Sequence, residues 1–115
     1  LLTPYTLDVS AAMKTLLEKN GFEITAFGAF EEAEEAKVAR ISEASTLAAM
    51  LEVGGGNDVD AVFASCTNLN TFGVIEQAEA MLGKPVVSSN SALIWHLARL
   101  AGLTADVPGV LYNAR

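Results

Sequence analysis

The chain's only cysteine, Cys66, stands in "VFASCTN", where an apolar run stops and helical spacing takes over. Two readings of this thiol are open. At a helix N-terminus a thiolate is stabilised, and it can then attack carbon or move a proton at carbon. Alternatively, a free cysteine packs as a small hydrophobe. Other polar residues share its setting. Tyr5, in "TPYT", has a hydroxyl that suits a ligand carboxylate and a ring that suits packing at a strand end. Thr67 and Asn68 follow the cysteine, and Ser88, Ser89, Asn90 and Ser91 follow the next apolar run. Ser88, Ser89 and Asn90 are also good helix caps. Hydroxyls, amides and helix-start N–H groups gathered at one place would suit the carboxylates of a small acid, because helix N-termini favour negative charge.

Other candidates carry less. His96 and Trp95 lie a full turn inside a helical segment, where His96 reads as a packing residue with no partner acid. Arg40 and Arg99 read as surface or interdomain ion-pairing residues. "VGGGN" lacks the spacing of a phosphate-binding loop. With one cysteine and one histidine, neither an internal disulfide nor a Cys-rich or His-based metal site can be built. A lone thiol fits a reducing, cytoplasmic setting. Seven basic residues against 14 acidic ones give a net charge of −7. No basic patch interrupts that balance, so nucleic acid and anionic membranes are poor partners. No apolar run reaches the ~18 residues of a membrane span.

The elements that must position these residues alternate in type. Residues 8–20 put Val9, Ala12, Met13, Leu16 and Leu17 on one helical stripe, with Asp8 or Ser10 as caps and Gly21 just past the end. "FEITAF" (22–27) reads as a strand, and "EEAEEAK" (31–37) as a solvated face or loop. A helix through 42–53 is stopped by "GGGN", and "VDAVFAS" (59–65) is a nearly continuous apolar strand, as in a parallel sheet covered on both faces. Residues 70–82 carry Thr71, Val74, Ile75, Ala78, Met81 and Leu82 at helical spacing, ended by Gly83. "PVVS" (85–88) is a short strand, and a helix follows with Ser89 or Asn90 as its cap. With Leu1 and Leu2 as the end of a first strand, the order is four strands alternating with helices. That implies right-handed crossovers, a parallel sheet in the flavodoxin-like order 2-1-3-4, and helices on both faces. Ligands bind such sheets beyond the carboxyl ends of the strands. The polar loops around Tyr5, Cys66 and Ser89 all leave those ends.

"SCTN…LGKPVVSSNSALIWHLARLAG", together with "TPYT", resembles the aspartate/glutamate racemase superfamily, and within it the maleate cis-trans isomerases and ectoine-utilisation proteins. Arylmalonate decarboxylases are more distant relatives with a similar cysteine loop. The resemblance runs from Thr3 to about Gly102. It implies one α/β half (residues 1–115) of a two-half enzyme that uses no cofactor, with the active site between the halves. This chain then corresponds to the C-terminal half, and the N-terminal half is its first partner. The resemblance implies that Cys66 is a catalytic residue, that Tyr5 binds a substrate carboxylate, and that Thr67, Asn68, Ser89 and Asn90 complete the substrate loops. There is one departure. Maleate isomerases have a substrate-contacting asparagine at about the place where this chain has Glu35, and a carboxylate there, unless protonated or turned away, would repel a dicarboxylate and favour a different or amine-bearing substrate.

The expected activity is a cofactor-independent isomerase or racemase of a small carboxylic acid, with the isolated fragment inactive. A decarboxylase with Cys66 as lone proton donor and a non-catalytic acid-binding domain are the alternatives. The nearly all-apolar "ALIWHLARLAGL" should be covered on more than one side, by the other half or by a second subunit, and a homo-oligomer is expected.

Overall fold

A computed structural model of the chain describes residues 1–114. The four strands are β1 (Leu2–Thr3), β2 (Gly28–Ala29), β3 (Val62–Ala64) and β4 (Val86–Ser88). They form one all-parallel sheet in the order β2-β1-β3-β4, the arrangement expected from the alternation of elements. The helices are α1 (Leu7–Lys19), α2 (Glu35–Val38), α3 (Glu43–Gly54), α4 (Ile75–Leu82) and α5 (Ser89–Leu100). Single 3₁₀ turns lie at Phe72–Val74 and Val110–Asn113.

Alternation along each strand divides the two faces. Leu2, Val62, Ala64 and Val86 point towards α3 and α4, where Met50, Val53, Val74, Ile75 and Ala78 complete the buried core. Gly54 lets α3 approach this core closely: an added Cβ would lie 2.7 Å from both Val62 and Leu82. Thr3 faces the other way and its hydroxyl meets that of Ser10 on α1 at 2.7 Å, both groups being buried. A cavity of about 670 Å³ is also on this second face, lined by Leu1, Leu17, Phe22, Ile24, Phe63 and Val87. It lies at the amino ends of the strands, at the edge opposite to Cys66.

Several elements differ from the sequence expectation. Residues 22–27 only lead into β2. Its neighbour β1 is two residues long, so the ladder is confined to the neighbourhood of Gly28 and Ala29, with Gly28 N–H donating to Leu1 O. The helix expected over 70–82 begins as a 3₁₀ turn, and Met81 on its stripe is exposed. The acidic run is not all loop: its last residues enter α2, which buries Val38. In α1 the cap position is Thr6 rather than Asp8 or Ser10. The expected apolar stripe is turned outward, with Val9 and Leu16 exposed and Ser10 buried. Leu93, Ile94, Leu97 and Leu100 of α5 are likewise exposed in this chain by itself. No helix among the described residues is long and apolar enough to cross a membrane.

Candidate active site

The carboxyl ends of three adjacent strands bring the polar loops together. Tyr5 lies two residues beyond β1, Cys66 two residues beyond β3, and Ser89 immediately beyond β4. The cap of α5 is Ser88, not Ser89 or Asn90. Its hydroxyl accepts the N–H of Ser91 while Ser91 Oγ accepts the N–H of Ser88, a reciprocal pair that closes the first turn. Because Ser88 does the capping, Ser89 and Asn90 are left to reach across to the cysteine loop. Ser89 Oγ accepts the N–H of Cys66 at 3.1 Å, and Asn90 Nδ2 donates to the carbonyl of Thr67 at 2.9 Å.

Cys66 itself is buried and holds φ at 98°. Residues with a Cβ rarely adopt that conformation, which costs of order 1–3 kcal/mol and persists only when the surroundings enforce it. Here the enforcing contacts are the Ser89 bond on one side and Ser65 N–H donating to Leu2 O on the other. The chain then turns back, so the N–H of Asn68 donates to Cys66 Sγ at 3.4 Å. The next helix does not begin at Cys66, as the sequence pattern implies; the 3₁₀ turn starts at Phe72. The helix N-terminus beside Cys66 in space is that of α5. Val38 and Leu69 pack with the thiol, flanked by Tyr5, Phe30 and Ile41, so its inner side is apolar.

Tyr5 is half-buried with its hydroxyl 3.5 Å from Ser65 Oγ. Burial pushes the phenol above its ordinary value; the Ser65 bond opposes this, while Cys66 and the Glu35 carboxylate add to it. A hydroxyl so shifted stays protonated and remains a donor throughout the neutral range. Asn68 turns its side chain outward to α2, where Nδ2 donates to both Glu35 O at 2.9 Å and Glu35 Oε2 at 3.0 Å. Thr67 is exposed at the loop tip.

All the residues singled out in the three loops therefore share one edge. His96 and Arg99 do not: they lie about 10 Å or more along α5 from Ser89, at 1.5 Å per residue, where Arg99 covers the Trp95 ring at 4.6 Å. Two roles lie outside the sequence reading, those of Ser65 and Ser91. Ser65 was absorbed into an apolar strand, although a hydroxyl at the end of such a run is itself a signal. Ser91 gave its own signal in the S-x-x-S spacing from Ser88. Among the described residues no cluster of His, Cys, Asp or Glu is arranged to hold a metal ion.

A parallel 2-1-3-4 sheet with a strained, buried cysteine at its carboxyl edge, beside a helix N-terminus, defines an α/β protein of the cysteine-loop kind. The family model described as arylmalonate decarboxylase matches residues 1–111, and the chain belongs to that family. The chain is 31% identical over 110 residues to the maleate isomerase of Nocardia farcinica (strain IFM 10152), covering 95% of this chain and 43% of that protein. A crystal structure of arylmalonate decarboxylase superposes with a TM-score of 0.85 at 29% identity, covering 97% of this chain and 51% of that one. A cysteine-to-serine mutant of the Nocardia farcinica maleate cis-trans isomerase, with a covalently bound succinylcysteine intermediate, gives a TM-score of 0.85 at 27% identity, covering 99% and 48%. The resemblance read from the loops thus holds at the level of family and fold. The chain spans about half the length of the relatives it matches.

Proposed function

We propose that this chain supplies one wall of the active site of a cofactor-independent isomerase that uses Cys66 on a small carboxylic acid. The observation that carries this reading is the placement of Cys66. Its backbone is held at φ 98° by Ser89, and its sulfur receives the Asn68 N–H at the edge of the sheet where Tyr5 presents a donor. The covalent succinylcysteine in the neighbouring maleate isomerase structure supports a covalent route.

In that route the Cys66 thiolate adds to one carbon of the substrate double bond. A C–S bond forms, and the displaced π pair moves to the adjacent carbon, conjugated with its carboxylate. The former double bond is now single and rotates. The pair returns, the C–S bond breaks, and the alkene re-forms in the other geometry with no net change of atoms. Tyr5 and the polar groups of Thr67, Ser89 and Asn90 orient the carboxylate, whose charge is stabilised by the first turn of α5, while Asn68 holds the loop through Cys66 Sγ and Glu35. A racemase would instead take the α-proton onto the thiolate and return one from the opposite face, which requires an acid on the far wall.

The far wall belongs, in this reading, to the half of the relatives' length that lies outside this chain, and the present chain is the C-terminal half. That half or a second subunit covers the exposed leucines of α5. A chain carrying only one wall lacks the orientation and water exclusion the chemistry needs and turns nothing over alone. A second reading, decarboxylation with Cys66 protonating the carbanion left by loss of CO₂, is favoured by the family description matched over residues 1–111.

The test is alkylation of Cys66 by iodoacetamide in the full-length protein, read by peptide mass spectrometry, with and without small carboxylic acids bearing one or two carboxylates. Assays of isomerisation, racemisation and CO₂ release accompany it. Protection by the acid, with product formation abolished in Cys66→Ala, is the expected result. A thiol inert in the native protein and indifferent to acids would overturn the reading and return Cys66 to a packing role. CO₂ release without isomerisation would select the decarboxylase.

A further inference from the structure

We infer that Glu35 sets the substrate class of this site, selecting acids that carry one carboxylate and one hydrogen-bond donor, an ammonium or a carboxamide, over dicarboxylates. The inference rests on Cys66 being the reacting group, as proposed above, and specifies what the thiol is offered.

Glu35 is held at the site through one side chain. The Asn68 amide grips both its carbonyl, at 2.9 Å, and its carboxylate oxygen Oε2, at 3.0 Å. The main-chain N–H of the same asparagine donates to Cys66 Sγ at 3.4 Å. One residue therefore links the carboxylate to the sulfur. The Glu35 charge also reaches Tyr5, where it adds to the upward push on the hydroxyl.

That charge is not neutralised by its neighbours. Among the described residues no lysine or arginine pairs with Glu35: Lys37 pairs with Glu34 at 2.7 Å, and Arg40 Nε donates to Ala36 O. Residues 31–40 hold four carboxylates and two cations, so the segment as a whole is acidic. The remaining Glu35 oxygen, Oε1, has no protein partner among the described residues, and the residue is exposed. A second substrate carboxylate brought to this wall would meet like charge, which costs binding and is not offset by a cation paired with Glu35 among the described residues. An ammonium or amide N–H would meet a ready acceptor.

The discriminating variant is Glu35→Gln. A glutamine keeps an oxygen for the Asn68 amide, so the α2 contact survives while the charge is lost. Unreactive probes of similar length separate the possibilities: succinate with two carboxylates, succinamate with a carboxylate and an amide, and 4-aminobutyrate with a carboxylate and an ammonium. The readout is the concentration of each that halves the rate of Cys66 alkylation in the full-length protein.

The native protein should be protected by succinamate or 4-aminobutyrate at concentrations about tenfold or more below succinate, and Glu35→Gln should collapse that ratio by improving succinate. The better of the two donor probes identifies the group Glu35 accepts from. If succinate protects native Cys66 as well as the donor probes do, or if Glu35→Gln leaves the ratio unchanged, the inference falls while the acid site stands. Protection by none of the three overturns the acid site and this inference with it. Should Glu35→Gln not fold, the native ratio alone decides.

Discussion

The N–H of Cys66 donates to the hydroxyl of Ser89 at 3.1 Å, joining the loop after β3 to the first residue of α5 across 23 positions of sequence. This bond holds the cysteine backbone in a conformation that its side chain disfavours. It also sets the thiol beside a helix N-terminus to which it has no sequence neighbourhood.

Ser89→Ala should leave the half-buried Cys66 N–H without its acceptor, at a cost of about 1–3 kcal/mol. Equilibrium urea unfolding of the full-length protein measures this. The same variant should alter the rate of Cys66 alkylation, because the loop loses its anchor to α5. Unchanged stability and unchanged alkylation would show that the bond does not hold the loop.

Strain at Cys66 gives a second expectation. Glycine adopts φ near 98° without penalty, so Cys66→Gly should be more stable than Cys66→Ala by about 1 kcal/mol, although it removes one more carbon from the cluster with Val38 and Leu69. Both variants should lose activity. If alanine proves the more stable, the backbone is not strained in solution.

Tyr5 carries the pH dependence. Its pKa is raised in the fold, chiefly by burial, so the folded state holds this proton more tightly than the unfolded chain does. The resulting stability is fully present below the ordinary phenol value of about 10 and is lost as pH rises through the higher folded value. Absorbance titration at alkaline pH should show Tyr5 ionising after an ordinary phenol, and Tyr5→Phe should unfold less steeply with rising pH. Loss of the donor should weaken acid binding by about tenfold, equivalent to roughly one hydrogen bond. A Tyr5 titrating at or below the ordinary value would refute the protonated-donor role.

Gly54 is a packing test away from the site. A methyl group there would lie 2.7 Å from Val62 Cγ2 and Leu82 Cδ1. Gly54→Ala should therefore destabilise the protein by about 1–3 kcal/mol, despite alanine's better helix propensity. An increase in melting temperature would mean that the core is looser than its geometry indicates.

Thr71 offers the opposite sign. Its hydroxyl is buried and has no hydrogen-bond partner among the described residues. Thr71→Val keeps the shape and removes the unsatisfied oxygen, so stability should be unchanged or rise by up to about 1 kcal/mol. A clear loss in thermal unfolding would reveal a partner for this hydroxyl.

The sequence by itself determined the alternation of strands and helices, and with it the parallel 2-1-3-4 sheet. Period-2 and period-3.6 apolar patterns are local, and right-handed crossovers leave few topologies. It also placed Tyr5, Cys66 and Ser89 at one edge, because residues just past the carboxyl ends of adjacent parallel strands must converge. The short extent of β2 was not legible, since a ladder needs a partner strand as well as β propensity. The outward turn of Val9 and Leu16 escaped for a related reason: an apolar stripe says that a helix face will be covered, not by which surface. Only the tertiary structure decided that Ser88 caps α5 and frees Ser89 for Cys66, that Cys66 takes a positive φ, and that the Asn68 side chain binds Glu35 on α2. The Ser89 and Asn68 bonds join residues 23 and 33 apart in sequence and the Cys66 torsion is imposed by such contacts, while the local S-x-x-S spacing offers Ser88 as one of several caps and only the fold selects it.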